Sequence, residues 1–261
     1  GLSDGISKKI VETALNNKIH VITPNKALIS KHGDYLSKLA EKNKVNLEFE
    51  ASVAGGIPIL RTIKEGLATN KINKVYRILN GTCNYILSLM SNGIDFNEAL
   101  KNAQNLGFAE SDPTLDINGT DTAHKVAILS RNCFGFDTKI DKFHISGIED
   151  ISKIDIETAN QLGYKIKLIG VGKIKGDKVD LRVHLALLKN SNPLANVNEE
   201  FNAILNISIQ FNKPICNGII TAYNLSQAVS RSRLLISKKP NKGSEAASAM
   251  ISILKNAIKQ I

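Results

Sequence analysis

The first fifty residues alternate helical and strand-like segments, and this alternation restricts the fold more than any other feature. The segments are a helix over residues 4–18, a strand over 20–23, a helix that begins near Ser30, and a strand over 45–50. Ser3 or Asp4 can cap the first helix, because both residue types accept hydrogen bonds from free backbone N–H groups. This order predicts two parallel strands and one part of an open α/β unit, too small to be a domain alone.

The rest of the chain mixes helices with antiparallel strands. The predicted elements are a strand over 71–80, a turn at Asn80–Thr82 into a helix that ends at Gly93, a helix from Asp95 to Gly107, an antiparallel hairpin over 164–188 with a Lys-Gly-Asp-Lys turn, and an amphipathic helix over 244–261. Gly170 and Gly172 resemble part of a dinucleotide-binding turn, but the spacing is wrong and the hairpin explains them. Residues 201–237 contain strand-like patches whose order the pattern leaves open.

Composition indicates a globular chain with one large or two modest domains, because 43% of its 261 residues are hydrophobic. The net charge of +10 comes mostly from lysines spread along the chain, which has six arginines and no tryptophan. That distribution argues against a nucleic-acid-binding protein and suits an anionic partner such as a phosphorylated cofactor. A nucleotide-biased genome is the alternative source of the lysine excess.

Three isolated cysteines, Cys83, Cys133 and Cys216, favour a reduced, cytoplasmic compartment over disulfides or zinc. The five histidines are scattered, without the spacing of a catalytic triad or a metal site. No apolar run reaches the length of a membrane span and no signal peptide is visible, so no membrane partner is expected. The chain begins at Gly1 rather than methionine, so an N-terminal region can be missing.

An acidic stretch between Gly107 and Leu129 is the candidate active site. It contains Glu110, Asp112, Asp116, Asp121 and Lys125. Gly119 and Thr120 open a helix on which the last two of these lie four residues apart, on one face. Such a local excess of acids in a basic chain suits a cationic ligand, for example the ammonium group of an amino acid.

The spacing leaves the state of Lys125 open. Apolar surroundings would lower its pKa and a nearby anion would raise it. A solvated Asp–Lys pair, worth a few tenths of a kcal/mol, is the alternative that spacing alone favours.

A glycine-rich loop follows the second strand at residues 50–57. Gly55 and Gly56 permit tight curvature and expose carbonyl groups, and Pro58 occupies the first turn of a helix. With Glu50 beside it, such a loop can hold a hard cation through oxygen ligands. A plain strand-to-helix turn is the alternative, and the residues alone favour it.

These segments, in this order, resemble the homoserine dehydrogenase family. The matching segments are HVITPNKALIS (20–30), FEASVAGGIPILRTIKEGLA (49–68), ILNGTCNYIL (78–87), AQNLGFAESDPTLDINGTDTAHKVAIL (103–129), QLGYKIKL (161–168) and NPLANVNEEFNA (192–203). The resemblance implies an NAD(P)-dependent oxidoreductase that interconverts L-homoserine and L-aspartate 4-semialdehyde in threonine, methionine and isoleucine biosynthesis.

The resemblance also implies roles for individual residues. Lys125 is implied to be the general acid/base, Lys26 to lie between nicotinamide and substrate, and Asp121 to orient the lysines. The implied substrate contacts are Glu110, which binds the ammonium group, together with Asp116, Asp121, Gly81 and Thr82. The implied contacts of the cofactor, NADP or NAD, are Lys26, Asn25 and Gly243. The implied ligands of a structural sodium or potassium ion are Glu50 and the carbonyl groups of Val53, Gly55 and Ile57.

The family's Gly-rich strand-turn-helix has no counterpart in this sequence, and the closest text to its Pro-Gly-Ala-Gly loop is Pro240–Gly243. We therefore predict an α/β chain in which residues 1–50 are the remnant of a truncated Rossmann-type nucleotide-binding domain, completed by a helix in 240–261. Residues 51–239 are predicted to form a mixed α+β catalytic and dimerisation domain with an open sheet, which assembles into a homodimer. We also predict that this polypeptide binds NADP(H) poorly and turns over slowly or not at all. A non-catalytic amino-acid-binding or assembly homologue is the alternative.

Overall fold

A computed structural model describes residues 3–55, 57–135, 140–176 and 178–198 of the chain. The strand-like patches in 201–237, Cys216, Gly243 and the predicted helix over 244–261 lie outside these described residues. Within the described ranges, every helix is too short or too polar to cross a membrane.

The described elements follow the predicted order. The helices are α1 (Ile6–Asn16), α2 (Lys26–Lys42), α3 (Ile59–Arg61), α4 (Gly81–Ser91), α5 (Phe96–Asn105), α6 (Thr114–Ile117), α7 (Thr120–Phe134) and α8 (Lys153–Gln161). The strands are β1 (Val21–Ile22), β2 (Leu47–Glu48), β3 (Lys74–Arg77), β4 (His144–Ile145), β5 (Tyr164–Lys175) and β6 (Lys178–Lys189). A π-helical turn, Thr62–Gly66, continues α3, and 3-10 turns cover Glu50–Ser52, Ile140–Lys142 and Pro193–Asn196. The elements α6, β4 and α8 are absent from the sequence-based prediction.

β1 and β2 pair in parallel, as the helix–strand alternation predicts. The helix between them, α2, begins at Lys26 and not near Ser30. The earlier start has a local cause, because the Oδ1 atom of Asn25 accepts a hydrogen bond from the backbone N–H of Leu28 at 3.1 Å. This start places Lys26 on the first turn of α2, immediately after the loop that leaves β1.

The predicted side-chain cap of α1 is wrong. Gly5 occupies the N-cap position, and its φ of 74° lies in the left-handed region that glycine adopts readily. The carboxylate of Asp4 is instead bound by Lys31 and His32 of α2. These two hydrogen bonds hold the pKa of Asp4 well below its usual range, and they connect α1 to α2.

Within the described residues, the second sheet has four strands in the order β3-β5-β6-β4 and does not close on itself. β5 and β6 form the predicted antiparallel hairpin, with Lys175 opposite Lys178 at its turn. β3 pairs antiparallel with β5, and β4 pairs parallel with β6. Helices α4, α7 and α8 pack against this sheet. A buried apolar cluster that contains Ile86, Val126 and Leu168 lies between these helices and the strands.

Helix α7 connects the parallel pair to the four-stranded sheet. Its Ile128 and Leu129 side chains are buried with residues of α1 and α2, whereas its Val126 belongs to the cluster against β5. Near its end, the guanidinium group of Arg131 donates to the backbone carbonyls of Ile29, at 2.8 Å, and of Ser30, at 3.1 Å. α7 therefore packs against both α2 and the sheet.

α7 approaches β5 most closely where the strand carries glycine. A Cβ atom on Gly170 would lie 2.3 Å from Val126 Cγ2, and one on Gly172 would lie 2.3 Å from Ser130 Oγ. Real Cβ atoms do not approach other atoms this closely. Helix packing therefore accounts for both glycines of the incomplete dinucleotide-like pattern.

We expect Gly170→Ala to lower the free energy of unfolding by about 1–3 kcal/mol, because the added methyl group overpacks α7 against β5. Urea denaturation followed by circular dichroism measures the change. Gly66→Ala is the matched control, since a Cβ atom there would have its nearest neighbour at 3.8 Å. Equal stability of Gly170→Ala and the wild type would show that α7 can move away from β5 at no cost.

Candidate active site

The candidate active site lies where α2, α4, α6 and α7 meet, and Asp121 is at its centre. The Asp121 side chain is only 3% exposed and belongs to the first turn of α7. The Nζ atom of Lys26 lies 2.7 Å from its Oδ1, and the Nζ atom of Lys125 lies 2.9 Å from its Oδ2. One buried carboxylate thus pairs with two ammonium groups from different helices. The solvated-pair interpretation of Asp121 and Lys125 is wrong, because the carboxylate is buried.

The charges at this centre stabilise one another. Burial raises the pKa of Asp121, but the pairing with Lys125 and Lys26 outweighs burial and holds this pKa below its usual value. Burial also disfavours the charge of Lys26, yet the pairing with Asp121, aided by Asp116 and Glu110, raises the pKa of this lysine. At neutral pH, Asp121 is therefore an anion and Lys26 a cation.

Lys125 is oriented by two acceptors. Its Nζ atom donates to the backbone carbonyl of Leu79 at 2.8 Å and pairs with Asp121 at 2.9 Å. An ammonium group has three N–H donors, so these two described acceptors leave one donor for a ligand oxygen. The side chain is 18% exposed, so a small ligand can reach this group.

Asp116 lies on α6 beside Asp121, and Asn80 bridges the two carboxylates. The Nδ2 atom of Asn80 donates to Asp116 Oδ1 at 2.7 Å and to Asp121 Oδ2 at 2.8 Å. The pKa of Asp116 is raised above its usual value. Burial and the negative charge of Asp121 raise this pKa, and the hydrogen bond from Asn80 lowers it. The Cys83 thiol donates to the backbone carbonyl of Asp116 at 3.1 Å, which fixes α6 against α4.

Gly81 and Thr82 form the start of α4, next to Asn80. The hydroxyl group of Thr82 donates to the backbone carbonyl of Phe108 at 2.6 Å, so its hydrogen is already engaged. The ring of Phe108 also contacts the ring of Tyr85, with centroids 5.0 Å apart. These contacts attach the acidic loop to α4.

Glu110 and Asp112 lie in the acidic loop and are exposed. The carboxylate of Asp112 accepts hydrogen bonds from the N–H group, at 3.1 Å, and the hydroxyl group, at 2.6 Å, of Thr114, the first residue of α6. Glu110 lies close enough to Lys26 to raise the pKa of that lysine. Its role as a substrate ligand stays a prediction.

Glu50, in the loop after β2, binds the backbone of helix α3. The two carboxylate oxygens of Glu50 accept hydrogen bonds from the backbone N–H groups of Leu60, at 2.7 Å, and Arg61, at 2.9 Å. A cation in this loop would depend mainly on the carbonyl groups of Val53, Gly55 and Ile57. Among the described residues, no group of three or more His, Cys, Asp or Glu side chains is placed to hold a metal ion. The sodium or potassium site therefore stays a prediction.

Sequence reasoning missed two contributors to this region and one buried lysine outside it. The sequence pattern assigns Asn80 only to a turn, although an Asn before a helix is a recognisable capping signal. The carbonyl of Leu79 carries no side-chain signal at all. Lys167 looks like an ordinary strand lysine, yet it is buried, donates to Asn84 Oδ1 and the carbonyl of Val197, both at 2.8 Å, and has a pKa that burial lowers to about 8.

Known families account for most of the chain. Residues 3–50 match the model of the homoserine dehydrogenase NAD-binding domain, and residues 58–221, more than half of the chain, match the homoserine dehydrogenase model. The chain belongs to the homoserine dehydrogenase family. This confirms the family resemblance. Residues 196–257 also match the model of 6,7-dimethyl-8-ribityllumazine synthase, so two different models share residues 196–221.

Individual homoserine dehydrogenases are similar over three quarters of this chain. The protein from Neisseria gonorrhoeae is 45% identical over 201 residues, which cover 77% of this chain and 46% of that protein. The crystal structure from Thiobacillus denitrificans is 42% identical, with a TM-score of 0.73, and the match covers 76% of this chain and 46% of that one. A hyperthermophilic archaeal homoserine dehydrogenase in complex with NADPH is 28% identical, with a TM-score of 0.62, over 72% of this chain and 55% of that one. The α/β fold with an open sheet is confirmed, and the chain spans about half the length of these relatives.

Proposed function

We propose that this chain is the catalytic part of an NAD(P)-dependent homoserine dehydrogenase, which interconverts L-homoserine and L-aspartate 4-semialdehyde. The observation that carries this proposal is the buried carboxylate of Asp121 between the ammonium groups of Lys26 and Lys125, with Asp116 beside it. L-Homoserine has an ammonium group and a hydroxyl group. The site offers carboxylates to the first and a lysine to the second.

Lys125 is the proposed general acid/base. During oxidation the proton of the substrate hydroxyl group passes to the neutral amine of Lys125, and during reduction the ammonium form returns a proton to the carbonyl oxygen. Asp121 pairs with Nζ at 2.9 Å, and the carbonyl of Leu79 helps to hold Nζ in place. NAD(P), when bound, takes up or supplies the hydride.

Acidic residues of the loop and of α6 are the proposed ligands of the substrate ammonium group. Asp116 is half-buried beside the charged centre, and Glu110 is exposed at its rim, so together they present negative charge to an incoming cation. Gly81 and Thr82, at the start of α4, are proposed as further substrate contacts.

The residues present fit the nicotinamide end of NAD(P) better than its pyrophosphate. Lys26 follows the carboxyl end of β1, the edge at which open parallel sheets bind ligands, and its Nζ reaches Asp121. Asn25, beside it, caps α2. A Gly-x-Gly-x-x-Gly pattern for the pyrophosphate does not occur in the sequence. Lys26 and Asn25 are therefore the proposed cofactor contacts, and weak NADP(H) binding by this chain stays a prediction.

Three further proposals rest on the family resemblance. They are a structural sodium or potassium ion at Glu50, Val53, Gly55 and Ile57, a homodimer formed through the four-stranded sheet, and a cytoplasmic location. The free thiols of Cys83 and Cys133 suit a reducing compartment.

Calorimetry with L-homoserine and the 261-residue chain tests the proposed function. We expect binding of L-homoserine, and weaker binding of N-acetyl-L-homoserine, which lacks the ammonium group, and of L-2-aminobutyrate, which lacks the hydroxyl group. Aldehyde formation with NADP⁺ separates a dehydrogenase from the non-catalytic amino-acid-binding homologue. A chain that neither binds L-homoserine nor forms aldehyde contradicts both.

A further inference from the structure

Asn80 is held in one orientation at the start of α4. Asn80 is only 4% exposed, and its Oδ1 accepts a hydrogen bond from the backbone N–H of Cys83 at 2.7 Å. The Nδ2 group therefore points away from α4, toward Asp116 Oδ1 at 2.7 Å and Asp121 Oδ2 at 2.8 Å. A flipped amide would place Oδ1 against two carboxylates and leave the N–H of Cys83 unpaired, so the contacts fix the orientation.

The two carboxylates repel each other, and Asn80 is the neutral donor between them. Lys26 and Lys125 contact Asp121 directly, whereas they act on Asp116 only through space. Burial raises the pKa of Asp116, the Asn80 hydrogen bond opposes this rise, and the charge of Asp121 adds to it. The charged groups that act on Asp116 are thus Asp121 and Lys125 from α7 and Lys26 from α2, while Asn80 comes from the start of α4.

We propose that Asn80 is a positioning residue, which holds the carboxylates of Asp116 and Asp121 side by side as two anions and so keeps Asp116 ready for an ammonium group. The inference rests on the proposed function, because the ammonium group is that of L-homoserine. Capping of α4 uses only Oδ1 of Asn80. The Nδ2 group has no part in the cap, and both of its hydrogens are directed to carboxylates.

Two substitutions of Asn80 remove its Nδ2 donor and keep an oxygen that can cap α4. Serine and aspartate both cap helices well, so Asn80→Ser and Asn80→Asp keep the cap of α4. Neither retains the Nδ2 donor, and aspartate adds a third anion beside the other two. We expect the pH midpoint of the Asp116 carboxyl group, followed by ¹³C NMR and assigned with Asp116→Asn, to rise in Asn80→Ser and to rise further in Asn80→Asp.

L-Homoserine binding gives a second measurement. We expect Asn80→Ser to weaken binding at neutral pH by about 10- to 100-fold, the value of a hydrogen bond to a charged group. Asn192→Ser is the matched control, because Asn192 caps a turn through the N–H of Leu194 and lies outside the candidate site. This control should change neither the Asp116 midpoint nor the affinity.

The outcomes distinguish the positioning role from the proposed function. An unchanged Asp116 midpoint in Asn80→Ser overturns the positioning role, whether or not L-homoserine binds. A raised midpoint in a chain whose wild type does not bind L-homoserine supports the positioning of the carboxylates and contradicts the proposed substrate. Circular dichroism checks folding, and Asn80→Ser decides the question if Asn80→Asp does not fold.

Discussion

Lys125→Met is expected to lower the rate of L-homoserine oxidation by about 10²- to 10⁴-fold, which is the range that a positioned acid/base contributes. Methionine keeps the unbranched apolar stem of lysine but cannot exchange a proton. Asp121 retains Lys26 as a partner at 2.7 Å, so we expect the variant to stay folded. It should also still bind L-homoserine, because the proposed ammonium ligands, Glu110 and Asp116, are unchanged.

The rates are best compared at saturating L-homoserine and high NADP⁺ concentration, with the aldehyde trapped and quantified over long incubations, because weak cofactor binding is expected. Lys38→Met is the matched control. Lys38 also pairs with an aspartate four residues earlier, Asp34, but its side chain is 73% exposed on α2. Oxidation by Lys125→Met at the wild-type rate would contradict the acid/base role. Weaker L-homoserine binding with an unchanged rate at saturation would assign Lys125 to binding instead.

Local patterns predict much of this fold, because they depend on neighbours in the sequence. The Lys-Gly-Asp-Lys turn predicts the β5–β6 hairpin. Asp95, at which a helix is predicted to begin, caps α5 by accepting a hydrogen bond from the N–H of Asn97 at 2.9 Å. The four-residue spacing of Asp121 and Lys125 likewise predicts their contact. Two local predictions fail. The start of α2 is predicted too late because the cap at Asn25 is overlooked, and Gly5 rather than Ser3 or Asp4 occupies the N-cap of α1.

Long-range contacts define the candidate site, and spacing rules do not reach them. Lys26 and Asp121 are far apart in the chain, and only the family resemblance relates them before the structure does. Burial decides between a solvated pair and a charged centre, and the sequence around Asp121 contains no signal for it. The bridge from Asn80 to Asp116 depends on the packing of α6 against α4, and α6 is too short to have a periodic pattern.

The C-terminal part of the chain has two competing interpretations. Assignment of residues 240–261 to the nucleotide-binding domain stays a prediction, and so do the boundaries at 50 and 239. Residues 196–257 also match the lumazine synthase model, whereas the match to the homoserine dehydrogenase model ends at residue 221. The candidate site does not depend on this question, because all of its described side chains lie between Lys26 and Lys125.

Asp121→Asn is the substitution with the largest expected effect on folding. We expect the free energy of unfolding at pH 7 to fall by about 3 kcal/mol, because the change leaves two lysines without their shared anion. Breaking a buried ion pair typically costs about 3–5 kcal/mol. The lower end is expected because the Lys26 side chain is 42% exposed and can regain water. Asparagine keeps the shape of the side chain, so packing changes contribute little.

The pH dependence makes the Asp121→Asn test specific to charge. The folded-state pKa of Asp121 is lowered, so its stabilising contribution is present above the ordinary value of 3.8 and is lost as the pH falls through the folded-state pKa. The pKa of Lys26 is raised, so its contribution is present below 10.5 and is lost as the pH rises further. The stability difference between wild type and variant should therefore be largest between about pH 4 and pH 10.

Asp34→Asn is the matched control, because it breaks an exposed pair of the same spacing. It should lower the free energy of unfolding by at most about 0.5 kcal/mol. Urea denaturation across this pH range measures the loss of unfolding free energy in both variants. If Asp121→Asn loses no more than Asp34→Asn, the Asp121 carboxylate is not the anion on which the two lysines depend.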